Sequence, residues 1–123
     1  MANKSKILIV DDEHDFIDVL KDRLEFEGYQ VLRATDGKTG LEIMRKGEAG
    51  ITLLDLMMPE MDGFKFLKIV NKDEKLAKQP LIVVTAYGRV LSAQEEGVIG
   101  ARPLVRKPFD VEKLLKLIKD QIS

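Results

Sequence analysis

The sequence predicts an α/β domain: one five-stranded parallel sheet with helices on both faces. Three observations carry this. Five short strand-like runs, Lys6–Val10, 29–34, Ile51–Leu54, 81–84 and 103–105, alternate with stretches whose apolar residues recur at helical spacing. The first and third runs are continuously apolar, the pattern of strands covered on both faces. Four of the five runs lead into residues suited to chemistry: Asp11 and Asp12, Asp55, Thr85 and Lys107. Strands alternating with helices pair in parallel, and their crossovers are right-handed.

Each element has a local reason. Lys6–Val10 is rich in β-branched residues and ends in Asp11-Asp12-Glu13. Residues 15–27 place Phe16, Ile17, Leu20 and Leu24 on one helical face, with Val19 and Phe26 on its flank to widen the core contact. Gly28 is a natural stop. Residues 29–34 form a second strand. Thr35-Asp36-Gly37 is a turn and helix start, and a thinner helix with Leu41 and Met44 runs to about Gly47. Ile51–Leu54 stops at a lone carboxylate, Asp55. Pro59, which lacks a donor, and Gly63, which permits unusual backbone angles, close that strand.

A helix from about Phe64 carries Phe66, Leu67, Ile69 and Val70 and gives way to charged residues before Pro80. Residues 81–84 form the fourth strand, ending in Thr85. Residues 89–98 make a weak fourth helix: glycines stand at 88, 97 and 100, and a glycine inside a helix costs up to about 1 kcal/mol relative to alanine. Residues 103–105 form a short fifth strand leading into Arg106-Lys107-Pro108. The last helix, from Asp110, caps itself and buries Val111, Leu114, Leu115, Ile118 and Ile122. Its acidic start and lysines near the end suit the helix dipole. Leu117, beside that stripe, reads equally as a partner contact or as padding for the core.

The 123 residues fit one domain, able to bury roughly two-thirds of the unfolded surface without staples. The absence of cysteine excludes disulfides and thiolate metal sites and fits a cytoplasmic location. A net charge of −1, with 33% charged residues, argues against nucleic acid as a partner. No apolar run approaches a membrane span, and no secretory segment is visible. Residues 1–6 read as a short basic lead, and no output domain is expected after residue 123.

In an open parallel sheet the ligand site lies beyond the carboxyl ends of the strands, so the residues ending these runs meet at one edge. Three carboxylates in one pocket repel one another and hold protons unless a cation is present. A hard divalent ion such as Mg²⁺, which takes oxygen ligands, relieves the repulsion. A deprotonated Asp55 is then a nucleophile able to form an acyl phosphate. Lys107 supplies an ammonium for the phosphoryl oxygens, and the Thr85 hydroxyl can donate to another. His14, the only histidine, reads as solvated near a helix start.

The motifs IVDDE at 9–13, LLDLMMPEMDG at 53–63, VTA at 84–86 and KPF at 107–109 are together highly specific. With them the chain resembles, over essentially its full length, the receiver domain of two-component response regulators. The resemblance implies a flavodoxin-like (CheY-like) fold with strand order 2-1-3-4-5. It implies that Asp55 accepts a phosphoryl group from the phosphohistidine of a histidine kinase or phosphotransfer protein. It implies that Asp12 and Asp55 bind Mg²⁺ directly with the Met57 carbonyl, and that Asp11 helps through water. It implies that Thr85, Ala86 and Lys107 contact the phosphoryl group and that the Lys107–Pro108 bond is cis. A downstream protein is expected to meet the face made by the fourth helix, the fifth strand and the fifth helix.

Departures from the family pattern shape the functional expectation. Receivers usually carry Tyr or Phe three residues before the lysine, as a rotamer switch coupled to the threonine; here that place holds Leu104. The expected readout is therefore ordering or shifting of the weak fourth helix. Met57 and Tyr87, two residues past Asp55 and Thr85, offer no carboxylate or amide to orient a water, so slow self-hydrolysis is expected. The alternative function is a phosphorylation-independent receiver used as an interaction scaffold. An aspartyl phosphatase is disfavoured, because the second acid it needs two residues after the nucleophile is here Met57.

Overall fold

The computed structural model describes residues 5–57, 62–86 and 90–122. Its elements are β1 (Lys6–Val10), α1 (His14–Phe26), β2 (Gln30–Ala34), α2 (Gly37–Lys46), β3 (Ile51–Leu54), α3 (Gly63–Lys72), α4 (Glu74–Ala77), β4 (Leu81–Thr85), α5 (Ala93–Ile99), β5 (Leu104–Arg106) and α6 (Val111–Ile122). The five strands form one parallel sheet in the order β2-β1-β3-β4-β5. This is the expected flavodoxin-like topology.

Period-2 alternation sorts the core into two layers. Leu8, Val10, Leu54, Leu81 and Val83 pack with Met44, Phe66, Leu67, Val70 and Ile99, beneath α2, α3 and α5. Their strand neighbours Ile7, Ile9, Ile51, Leu53, Ile82 and Val84 point the other way, onto Ile17, Leu20 and Leu24 of α1 and Leu114, Leu115 and Ile118 of α6. Each apolar side chain of β1 and β4 therefore serves one helical layer, and the backbone between them is held by ladder bonds.

The helix starts are set by short polar side chains. The Asp36 carboxylate accepts from the Thr39 amide at 2.8 Å and Asp62 from the Phe64 amide at 2.8 Å. Gly47, at φ +66°, ends α2 in the left-handed region that favours glycine. The C-terminus of α5 is held differently. Arg102 donates to the Ile99 carbonyl at 3.1 Å and to Asn71 Oδ1 at 2.7 Å, while Asn71 donates to the Val98 carbonyl at 3.0 Å. These bonds pin the end of α5 to the end of α3.

Several local expectations need correction. The charged stretch before Pro80 contains a helix, α4: Asp73 caps it by accepting from the Lys75 and Leu76 amides, and Leu76 is buried beneath it. One apolar residue in a single turn leaves no periodicity to read. The fourth predicted helix is α5 and begins at Ala93, because a capping box joins Ser92 and Glu95 in both directions. Val19 and Phe26 widen no core contact; they are 72% and 83% exposed, projecting from the side of α1 away from Ile17, Leu20 and Leu24. The fifth strand starts at Leu104, not residue 103, although the Pro103 carbonyl already accepts from the Val83 amide. Leu117 is partly buried against the α1–α6 core, which fits padding. Pro59, Tyr87, Gly88, residue 89 and most of the basic lead lie outside the described residues.

Gly63 has a packing role that bears on the site. It opens α3 against the chain just after Asp55, its amide donating to the Leu56 carbonyl at 3.0 Å. A Cβ there would lie 2.4 Å from Leu56 Cα and 3.0 Å from the Asp55 carbonyl oxygen, both backbone atoms. Gly63→Ala is therefore expected to cost about 2–3 kcal/mol, read from urea unfolding midpoints. A loss under 0.5 kcal/mol would show that this approach relaxes freely.

A candidate acidic site at the carboxyl edge of the sheet

The site is a product of register. Val10 pairs with Leu54, so the next residues, Asp11 and Asp55, emerge side by side. The Asp11 amide donates to the Ala34 carbonyl at 3.0 Å and the Asp55 amide to the Val10 carbonyl at 2.9 Å, extending the sheet to both acids. One strand further on, Thr85 pairs with Arg106, and the Lys107 amide donates to the Thr85 carbonyl at 2.8 Å. Strand pairing thus brings together residues almost a hundred positions apart.

Asp11, Asp55 and Thr85 are buried, and Asp12 is half-buried. Asp11, Asp12 and Asp55 each offer a carboxylate oxygen, all within 4.8 Å of one another. Asp11 Oδ1 accepts from the Glu13 amide at 2.9 Å, and its Oδ2 from Lys107 Nζ at 2.9 Å. Asp55 Oδ1 accepts from the Met57 amide at 2.9 Å, and its Oδ2 lies 3.5 Å from Lys107 Nζ. The ammonium also reaches Glu13 Oε1 at 2.9 Å and stands 3.9 Å from the centroid of the Phe16 ring. Phe16 in turn meets Phe109 edge to face, with centroids 5.8 Å apart.

The electrostatics follow from this crowding. Burial pushes the Asp55 carboxyl up to about 6; the neighbouring Asp11 adds to the rise, while the Met57 amide and Lys107 oppose it. Burial works against the Lys107 charge, but the bonds to Asp11 and Glu13 and the nearby Asp55 outweigh it and raise its pKa. The three clustered acids and Glu13 face one ammonium. An all-oxygen set, deficient in positive charge and close enough for one ion to bridge, fits a hard divalent cation such as Mg²⁺.

Asp11, Asp12, Asp55 and Lys107 therefore converge as the strand-end argument requires. Thr85 sits at the end of the adjoining strand, and Ala86 follows it, exposed. Met57 is exposed, and its amide holds Asp55. Leu104 lies apart, half-buried in the opposite core layer. His14 is exposed, its Nδ1 3.4 Å from Arg33 Nη2. The Lys107–Pro108 bond is cis, as expected. Sequence reasoning did not single out Glu13, Phe16 or Phe109 for the site, although Glu13 and Phe109 stand inside the quoted motifs.

The family model of the response regulator receiver domain matches residues 7–119. The chain belongs to that family. The receiver is 36% identical over 115 residues to sporulation initiation phosphotransferase F of Bacillus subtilis, covering 93% of this chain and 90% of that one. It is 34% identical over 114 residues to the DNA-binding dual master transcriptional regulator RpaA of Synechocystis, covering 93% of this chain and 47% of that protein. The receiver thus spans less than half the length of that regulator. Chemotaxis protein CheY4 of Vibrio cholerae superposes with a TM-score of 0.82 at 31% identity, covering 95% of this chain and 98% of that one. TrrA of Thermotoga maritima, solved in complex with Mg²⁺-BeF, gives 0.79 at 28% identity, covering 95% and 98%. Receiver domains of two-component systems bind Mg²⁺ at an acidic pocket and interact with histidine kinases or phosphotransfer proteins. Among the described residues, no helix is long and apolar enough to cross a membrane.

The raised Asp55 pKa has a sign that can be checked. The fold favours the protonated acid, so in metal-free protein this group removes stability as pH rises from about 4, its usual value, to about 6, and the loss then levels off. Asp55→Asn removes the loss. In EDTA at pH 7.5 the variant should be more stable than wild type by on the order of 1–2 kcal/mol, the gap closing towards pH 4. Denaturant titrations of both proteins across this range measure it; a gap independent of pH contradicts the electrostatic origin.

Proposed function

We propose that this receiver accepts a phosphoryl group on Asp55 from the phosphohistidine of a histidine kinase or phosphotransfer protein. The observation that supports the reading most directly is the Lys107 ammonium 3.5 Å from Asp55 Oδ2, beside acids clustered within 4.8 Å. The Met57 amide occupies Oδ1, which leaves Oδ2 as the attacking atom. Oδ2 forms the O–P bond while the donor P–N bond breaks; the imidazole takes the electron pair and a proton from water. Lys107 neutralises one phosphoryl oxygen as charge develops, with Thr85 and Ala86 at the others. Mg²⁺, when bound, supplies further positive charge to the phosphoryl group and to the acids. Asp12, Asp55 and the Met57 carbonyl would hold it, with Asp11 in support.

Output is proposed at the face of α5, β5 and α6, through a shift of α5 and onto a downstream protein. This is the face expected from the sequence, renumbered because α4 intervenes. Leu104 has no ring to rotate and packs into the core beneath α5, so any switch with Thr85 passes through the helix. The same observation favours the second reading, a receiver that acts as a phosphorylation-independent scaffold.

Intact mass after incubation with acetyl phosphate and Mg²⁺ separates the two. Wild type should gain one phosphoryl group, and Asp55→Asn or EDTA should abolish the gain. An unmodified wild type supports the scaffold; a modified Asp55→Asn moves the acceptor elsewhere.

The lifetime of the acyl phosphate gives another test. Met57 is 52% exposed, and its thioether orients a water poorly. Met57→Asn should accelerate loss of the phosphoryl group by at least about threefold, since a positioned polar group aids attack by water. An unchanged decay in a mass time course removes residue 57 from control of hydrolysis.

A further inference from the structure

The Lys107 ammonium has more partners than phosphotransfer requires. Asp11 Oδ2 and Glu13 Oε1 each lie 2.9 Å away, and the Phe16 ring face closes the site at 3.9 Å. Phe16 is not free to drift. It is half-buried against the α1–α6 core and packed perpendicular to the ring of Phe109, two residues beyond Lys107 itself. The lysine side chain is only 11% exposed, so little water is on hand to replace a lost partner.

Asp11 has two claims on its oxygens. Oδ1 is taken by the Glu13 amide, and Oδ2 by the ammonium. A divalent cation among Asp11, Asp12 and Asp55 draws on the same carboxylate and repels the ammonium. Glu13 and Phe16 lie outside that trio of acids, so a cation held there takes no ligand from either. A ring face attracts a cation most strongly where water is scarce, as it is here.

We infer that Glu13 and Phe16 form a holding site for the Lys107 ammonium, keeping it beside Asp55 when Asp11 turns to a divalent cation. Both are positioning residues that act through Lys107. The inference rests on the proposed Mg²⁺-dependent phosphorylation of Asp55 for its purpose, but not for the contact itself.

Two measurements test it. The first is the NMR signal of the Lys107 ε-methylene, which the Phe16 ring face shifts upfield. That shift should be present without metal, persist at Mg²⁺ concentrations that move the Asp55 amide signal, and vanish in Phe16→Leu. A shift absent from wild type, or lost when Mg²⁺ is added, overturns the holding site. The second is the rate of phosphorylation by acetyl phosphate at saturating Mg²⁺. Phe16→Leu should slow it by about fivefold with Mg²⁺ affinity within about twofold of wild type, and Glu13→Gln should slow it by a similar factor. Phe16→Tyr, which restores a ring, should recover the wild-type rate. Equal rates in Phe16→Leu and wild type overturn the inference, as does failure of Phe16→Tyr to recover. A wild type that takes up no phosphoryl group counts against the function proposed for Asp55, while the resonance still decides the contact.

Discussion

Buried negative charge, held in excess at the edge of the sheet, is the constraint on which this molecule turns. Asp11 and Asp55 leave adjacent paired strands in register, so the backbone forces two carboxylates together before any side chain chooses a rotamer. One ammonium answers them directly. What the fold leaves unbalanced is an electrostatic demand at the carboxyl edge of the sheet. A fully neutralised pocket would be more stable and would leave a cation nothing to balance. Buried ion pairs are weak sources of stability in general, and this cluster is better understood as stored demand for positive charge.

The sheet bears that demand because its two layers do not depend on the site. Alternate residues of β1 and β4 each feed one helical layer, and the acids begin only where the alternation stops. Tight contacts cluster just behind them. Gly63 brings the start of α3 onto the backbone of Leu56, and the Met57 amide clamps one oxygen of Asp55. The carboxylate of Asp55 is thus anchored through Oδ1 by a backbone atom, which moves less readily than a side chain, while Oδ2 faces Lys107.

Much of this was legible in the sequence, for a definite reason. A strand buried on both faces must be apolar, so the residue at which the apolar run stops marks its carboxyl end. In a parallel sheet all such ends share one edge, and Asp11, Asp12, Asp55, Thr85 and Lys107 could be assigned there without coordinates. What escaped were properties lacking a period or a terminus. α4 buries one residue and shows no repeat. Val19 and Phe26 are apolar but sit on the wrong side of α1, and hydrophobicity alone does not give a side chain's direction. The Glu13–Lys107 pair spans 94 residues and depends on how far two flexible side chains extend. Phe16 was read as core, yet one face of its ring meets a cation.

The fastening of α5 carries a mechanical consequence. Its carboxyl end is bolted through Arg102 and Asn71 to α3, and its amino end carries the Ser92–Glu95 exchange, with Leu91 just ahead packed against the core. A bolted end acts as a pivot. Any tilt of this helix about the Arg102–Asn71 bolt would sweep its Ser92 end through the larger arc.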